Sequence, residues 1–157
     1  FFFLLYHFLR YKYDNVDLVF ISHDIKAKEV SEDDFFGKVS SGGTFASSAL
    51  EKCLGIIEKR YHPNSWNIYT FHCSDGDNWN DDNDKALDLS KRLKEISQLY
   101  CYTEVTPEDE KIAWDSSPTT LYSLYTPIVG GSFKIVKINR ADDIWPSFTK
   151  LFGGQNV

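Results

Sequence analysis

Strand-like and helix-like patterns of apolar residues alternate along the chain, and this alternation predicts an α/β fold with a mostly parallel sheet. Nearly continuous apolar runs predict buried strands at 16–22, 66–73, 99–105 and 133–138, and a more polar run predicts an edge strand at 27–30. Helical spacing predicts helices at the start of the chain, from residue 46 to a stop at 62–64, around 86–96, from 117 to 124, and from 143 to the glycines 153–154. Because the chain has no repeat or linker, we predict one domain over residues 1–157.

Composition excludes several functional classes. The net charge is −6 and no basic stripe is present, which argues against a nucleic-acid groove. The apolar start is too short to span a bilayer and lacks the flanks of a signal peptide, so we expect no membrane segment. Three cysteines without CxxC spacing favour a reducing, cytoplasmic location. The chain has no methionine, even at position 1, which indicates a fragment of a longer protein.

Two loops carry candidate metal ligands. Thr44 follows Gly42 and Gly43 at a predicted helix start, and Asp75 follows a predicted buried strand. Ligands of open parallel sheets bind where such loops converge, beyond the carboxyl ends of the strands. A hydroxyl and a carboxylate are hard ligands that suit Mg²⁺ or Mn²⁺. Alone, the first is a common capped turn and the second a common acidic loop, but their shared placement at strand–helix junctions predicts one site.

Other polar and aromatic residues form the predicted rim of this site. His23 follows a strand at the same edge, where it lines the site or serves only as a hydrogen-bonded loop residue. Trp79 either contributes to a protein-recognition surface or packs over the end of the sheet. The predicted rim comprises Ser22, His23, Gly42, Gly43, Asp77, Asn78 and Trp79.

An enzymatic alternative uses the paired aspartates Asp75 and Asp77, as in a metal-dependent phosphatase or hydrolase. That pattern expects Thr or Val two residues after the second aspartate, where this chain has Trp79. An EF-hand is excluded because Asn80 replaces the required glycine. No nucleophile–base pair follows from spacing, so we predict no catalytic residues and a non-catalytic protein.

Several motifs together resemble the bacterial YeaH/YhbH family. They are FISH at 20–23, AKEV at 27–30, SGGT at 41–44, IIEKRY at 56–61, WNIY at 66–69 and SDGDNW at 74–79. The resemblance is dense up to about residue 106. It implies a three-layer, Rossmann-like von Willebrand factor A-like fold and a protein-binding role in stress or sporulation. Implied partners are a PrkA-type serine protein kinase or a SpoVR-like protein.

The resemblance also implies a metal-ion dependent adhesion site built from three loops. Thr44 matches the residue of the second loop and Asp75 that of the third. The first loop, Asp-x-Ser-x-Ser, and the central strand that carries it are absent from this chain. A hard divalent ion binds about six oxygen ligands, and Thr44 and Asp75 supply only two of them. We therefore expect this chain alone to bind Mg²⁺ or Mn²⁺ weakly or not at all. The missing strand would leave an open position in the sheet.

Overall fold

The computed structural model describes residues 2–23, 26–37, 45–106 and 120–152. Its helices are α1 (Phe2–Lys12), α2 (Glu32–Gly37), α3 (Ala46–Arg60), α4 (Asn83–Ile96), α5 (Leu121–Tyr125) and α6 (Ile144–Phe152). Its strands are β1 (Phe20–Ser22), β2 (Lys28–Val30), β3 (Tyr69–Ser74), β4 (Leu99–Val105) and β5 (Phe133–Ile138). Short 3-10 turns occupy Asn80–Asp82, Thr126–Ile128 and Ala141–Asp143.

A parallel sheet in the order β3-β4-β5 forms the centre of the described molecule. Its middle strand β4 is buried over all but its last residue, as its apolar run LYCYTEV predicts. Tyr100 and Tyr102 are fully buried on one face of this strand, and Cys101 is buried on the other. Alternation along β4 therefore places a separate apolar cluster on each face of the sheet.

Helices cover both faces of the sheet. The cluster around Tyr100 and Tyr102 joins the sheet to α3, α4 and α5, and the inward stripe of α4 repeats at Ala86, Leu89 and Leu93. On the opposite face, Leu5 and Leu9 of α1 cluster with Phe148 of α6. Helix, sheet and helix thus form three layers, as predicted.

The β1–β2 pair is a separate two-stranded sheet. Its strands run antiparallel, with Ile21 opposite Glu29, and neither pairs with β3. The expectation of one mostly parallel sheet is therefore wrong in part: three strands are parallel, and two form an independent antiparallel pair. A cavity of about 850 Å³ lies between β1 and β3.

The observed bounds of two strands differ from the predicted ones. The apolar run at 16–22 contributes only Phe20–Ser22 as a strand, and β3 begins at Tyr69 rather than at 66. The predicted helix start at 117–118 and the closing glycines 153–154 lie outside the described residues. No helix in the described ranges is long and apolar enough to cross a membrane.

Candidate functional site

The loop after β3 turns sharply at the carboxyl edge of the sheet. Gly76 has φ +96°, a conformation that favours glycine, and a Cβ added there would collide with the carboxylate of Glu104. Asp75 is exposed, and its Oδ1 accepts a hydrogen bond from the Asp77 amide at 3.0 Å. The Asp75 carbonyl accepts a hydrogen bond from the Thr106 hydroxyl at 3.1 Å. The loop therefore holds the Asp75 carboxylate at the surface of the sheet edge.

The first turn of α3 is joined to this same loop and the turn that follows it. The Ala46 amide donates to Asn78 Oδ1 and the Ser47 amide to Asp82 Oδ2, both at 2.9 Å. These side chains accept hydrogen bonds from helix amides that have no partner within the helix. The negative charge of Asp82 also interacts favourably with the positive end of the helix dipole. The rings of Phe45 and Trp79 stack beside them, with centroids 6.0 Å apart and planes 7° apart.

A buried carboxylate that the sequence analysis missed supports the loop from below. Glu104, near the end of β4, is 2% exposed and lies opposite Lys137 in the parallel register. Its Oε1 lies 2.7 Å from Lys137 Nζ, and its Oε2 accepts a hydrogen bond from the Tyr122 amide at 3.0 Å. The sequence does indicate this residue, because Glu104 is a charged residue within an apolar strand and a buried charge needs a partner.

Two histidines meet at the carboxyl ends of β1 and β3. The rings of His23 and His72 lie 5.5 Å apart, and the His72 ring also contacts Tyr102 at 5.0 Å. His72 is buried, and neither ring nitrogen has a hydrogen-bond partner among the described residues. Burial, with a smaller contribution from His23, lowers the pKa of His72 from 6.5 to about 3, so the ring is neutral.

The structure brings some of the predicted site residues together. The loop after β3 contains Asp75, Asp77, Asn78 and Trp79. Ser22 ends β1, His23 follows it, and both line the cavity between β1 and β3. Gly42, Gly43 and Thr44 lie outside the described residues. Trp79 remains 58% exposed although it stacks on Phe45, so it does not simply pack down over the sheet.

The described residues do not complete a metal site on their own. They contain no group of three or more His, Cys, Asp or Glu side chains that could hold an ion. Asp75 offers one exposed carboxylate, whereas both oxygens of Glu104 are already engaged by protein groups. A divalent ion would therefore need further oxygen ligands beyond these residues.

Comparison with known proteins identifies the family. The sequence profile described as "Protein of unknown function (DUF444)" matches residues 1–155. The chain belongs to this family. The resemblance to the bacterial YeaH/YhbH proteins is confirmed. No solved structure was found to match the chain.

The relatives are longer proteins. A UPF0229 protein of Ruminiclostridium cellulolyticum is 47% identical over 151 residues, which are 96% of this chain and 37% of the relative. A UPF0229 protein of Azotobacter vinelandii is 42% identical over 153 residues, 97% of this chain and 35% of the relative. The chain thus spans about a third of the length of these relatives.

Asp82 is expected to anchor the start of α3. Asp82→Ala should lower the free energy of unfolding by about 1–2 kcal/mol, because the Ser47 amide loses a charge-assisted acceptor at a helix N-terminus. Urea denaturation measures the change. Asp81→Ala is the control, since Asp81 is the exposed neighbour, and should stay within about 0.5 kcal/mol of the parent. Equal effects of the two substitutions would contradict the anchoring role.

His72 is expected to make the protein less stable in acid. Its pKa is lower in the folded than in the unfolded chain, so between about 3 and 6.5 the unfolded chain binds one more proton. Above pH 6.5 this titration does not change the free energy of unfolding. As the pH falls from about 6.5 towards 3, the free energy of unfolding decreases by about 1.4 kcal/mol per pH unit. Denaturation at several pH values should show this slope reduced in His72→Phe and unchanged in His62→Gln, since His62 is exposed. An unchanged slope in His72→Phe would refute a neutral His72.

Proposed function

We propose that this chain is part of a non-catalytic protein-binding module whose binding surface is the carboxyl edge of the parallel sheet. The observation that carries the proposal is the junction of two loops: the amides of Ala46 and Ser47 bind Asn78 and Asp82. Thr44 lies two residues before Ala46 in the sequence. This junction fits the von Willebrand factor A-like arrangement in which a Thr loop and an Asp loop serve one site.

The exposed groups of this edge suit recognition of a protein. Trp79 and Phe45 form an aromatic stack, and Asp75 and Asp77 supply acidic groups in the same loop region. Large aromatic side chains contribute most strongly to protein interfaces when a partner removes them from water. The hydrogen bonds to α3 hold the loop in place before binding, which lowers the entropy lost on association.

Mg²⁺ or Mn²⁺ is part of the proposal for the longer protein. Asp75 is the exposed carboxylate that directly follows β3, and Thr44 is the proposed hydroxyl ligand. The rest of the protein and the partner would supply the remaining oxygens, with a carboxylate of the partner at an open position. Thr44 and Asp75 would hold the ion, and the ion would supply a positive charge that binds the partner's carboxylate.

A cytoplasmic stress or sporulation response is the proposed setting. The three cysteines are free, which supports a reducing compartment. A PrkA-type serine protein kinase and a SpoVR-like protein are the proposed partners, on the family resemblance. They are therefore the first baits for a binding assay with the longer protein.

Calorimetry of the longer protein with Mg²⁺ and Mn²⁺ tests the site. Thr44→Ala and Asp75→Ala should each weaken metal binding at least about tenfold, because each removes a direct ligand. Asp84→Asn is the matched control, since Asp84 is an exposed acid on α4, and should bind as the parent does. Partner capture should fall in parallel with metal binding. Unchanged metal binding in both ligand variants, or phosphatase turnover abolished by Asp77→Asn, would overturn the proposal.

A further inference from the structure

We propose that Glu104 is the positioning residue of the binding surface: its buried Oε2 atom sets the conformation of the turn at Gly76 and thereby the direction of the Asp75 carboxylate. This role rests on the function proposed above, in which Asp75 is a binding group. Two chains of hydrogen bonds carry it. One chain holds the Gly76 amide, the other holds the Gly76 carbonyl, and both end on the same carboxylate oxygen.

The first chain runs from the Gly76 amide into the sheet. That amide donates to the Ser74 hydroxyl at 3.1 Å, and the Ser74 hydroxyl lies 2.8 Å from the Tyr102 hydroxyl. The Tyr102 hydroxyl donates to Glu104 Oε2 at 3.4 Å. Because Ser74 ends β3 and Tyr102 is buried in β4, the chain connects the turn to the core of the sheet.

The Glu104 carboxylate fixes the direction of each hydrogen bond in this chain. A carboxylate has no proton to donate, so the single proton of the Tyr102 hydroxyl points to Glu104. The Tyr102 oxygen therefore accepts the Ser74 proton, and the Ser74 oxygen accepts from the Gly76 amide. Each donation makes the donating oxygen a stronger acceptor for the next group. The carboxylate thus strengthens the bond that holds the Gly76 amide.

The second chain runs through the first turn of α5. The Leu121 amide donates to the Gly76 carbonyl at 2.9 Å, and the next amide, that of Tyr122, donates to Glu104 Oε2 at 3.0 Å. First-turn amides have no acceptor within their own helix, so both are available for these contacts. The peptide groups on the two sides of the Gly76 Cα are therefore both held through Glu104. The first of these groups contains the carbonyl of Asp75.

The same carboxylate oxygen also limits the space at the turn. A Cβ added to Gly76 would collide with Glu104 Oε2, and Gly76 has φ +96°. The turn therefore cannot accept a side chain while Glu104 keeps its place. Glu104 itself is 2% exposed, and its other oxygen lies 2.7 Å from Lys137 Nζ. The buried carboxylate is thus a fixed support against which the turn packs.

A turn held in this way presents Asp75 in one direction before anything binds. Asp75 is exposed and directly precedes Gly76, so the part of the loop that is held ends at the group that faces solvent. A binding group that is already oriented loses less entropy when its ligand arrives. Glu104 acts on the ligand only through Gly76, so it is a positioning residue rather than a ligand.

Hydrogen exchange of the longer protein measures this positioning without any ligand. Met in Glu104→Met keeps the length of the side chain but offers only a weak acceptor, so the Gly76 and Leu121 amides should exchange at least about tenfold faster. The Tyr100 amide, which donates to the Ser132 carbonyl in the core, is the internal reference and should be unchanged. Equal acceleration of all three amides, or of none, would overturn the positioning role.

The conservative variant Glu104→Gln should restore slow exchange. Its amide oxygen can take the place of Oε2 while Lys137, whose side chain is 41% exposed, turns to solvent. The Gly76 and Leu121 amides should then exchange within about twofold of the parent. Exchange as fast as in Glu104→Met would show that the ion pair, and not the acceptor at Oε2, holds the turn, and would contradict the proposal.

Tyr102→Phe is a second variant that keeps the volume of the core. It breaks the first chain alone, so the Gly76 amide should exchange at least about threefold faster while the Leu121 amide is unchanged. This result would support the two-chain arrangement even if Glu104→Met does not fold. An unchanged Gly76 amide would contradict the first chain.

Calorimetry with Mn²⁺ on the same variants of the longer protein tests the link to binding. The affinity should fall about tenfold in Glu104→Met and stay within about twofold of the parent in Glu104→Gln. Parent-like affinity in Glu104→Met would overturn the positioning role if Asp75→Ala weakens binding. If Asp75→Ala also binds as the parent does, the proposed function fails instead, and the exchange of the Gly76 and Leu121 amides decides whether Glu104 positions the turn.

Discussion

The requirement that buried strand edges be hydrogen-bonded governs the rest of this structure. β4 meets it fully, with β3 on one side and β5 on the other. Among the described residues β3 pairs with β4 alone and β1 with β2 alone, and both β1 and β3 line a cavity of about 850 Å³. The cavity therefore separates the parallel sheet from the antiparallel β1–β2 pair.

The carboxyl edge of the sheet depends on the same framework. β3 delivers Asp75 to the surface, and Glu104 on β4 fills the space beneath Gly76 while pairing with Lys137 on β5. The start of α3 is then fixed through Asn78 and Asp82. The proposed binding surface is therefore a product of three neighbouring strands.

The local sequence pattern predicted the strands and helices whose packing partners lie among the described residues. Tertiary contacts, which the pattern does not contain, determined the other elements. The apolar runs of β4 and β5, and the inward stripes of α3 and α4, were predictable because their periodicity reflects burial on the described core. Residues 16–19 have an equally apolar pattern but do not form a strand, since pairing requires a neighbour that pattern alone does not supply. The roles of Asp82 and Glu104 could not be predicted either, because their partners are 35 and 18 residues away along the chain. The family followed from short motifs, whereas the metal ligand Thr44 and the von Willebrand factor A-like fold stay predictions.

Hydrogen exchange tests the junction of the two loops most directly. If Asn78 and Asp82 accept the amides of Ala46 and Ser47, both amides should exchange slowly, although amides in the first turn of a helix have no partner within the helix. Slow exchange at both amides is the predicted result. Rapid exchange of both would contradict the junction.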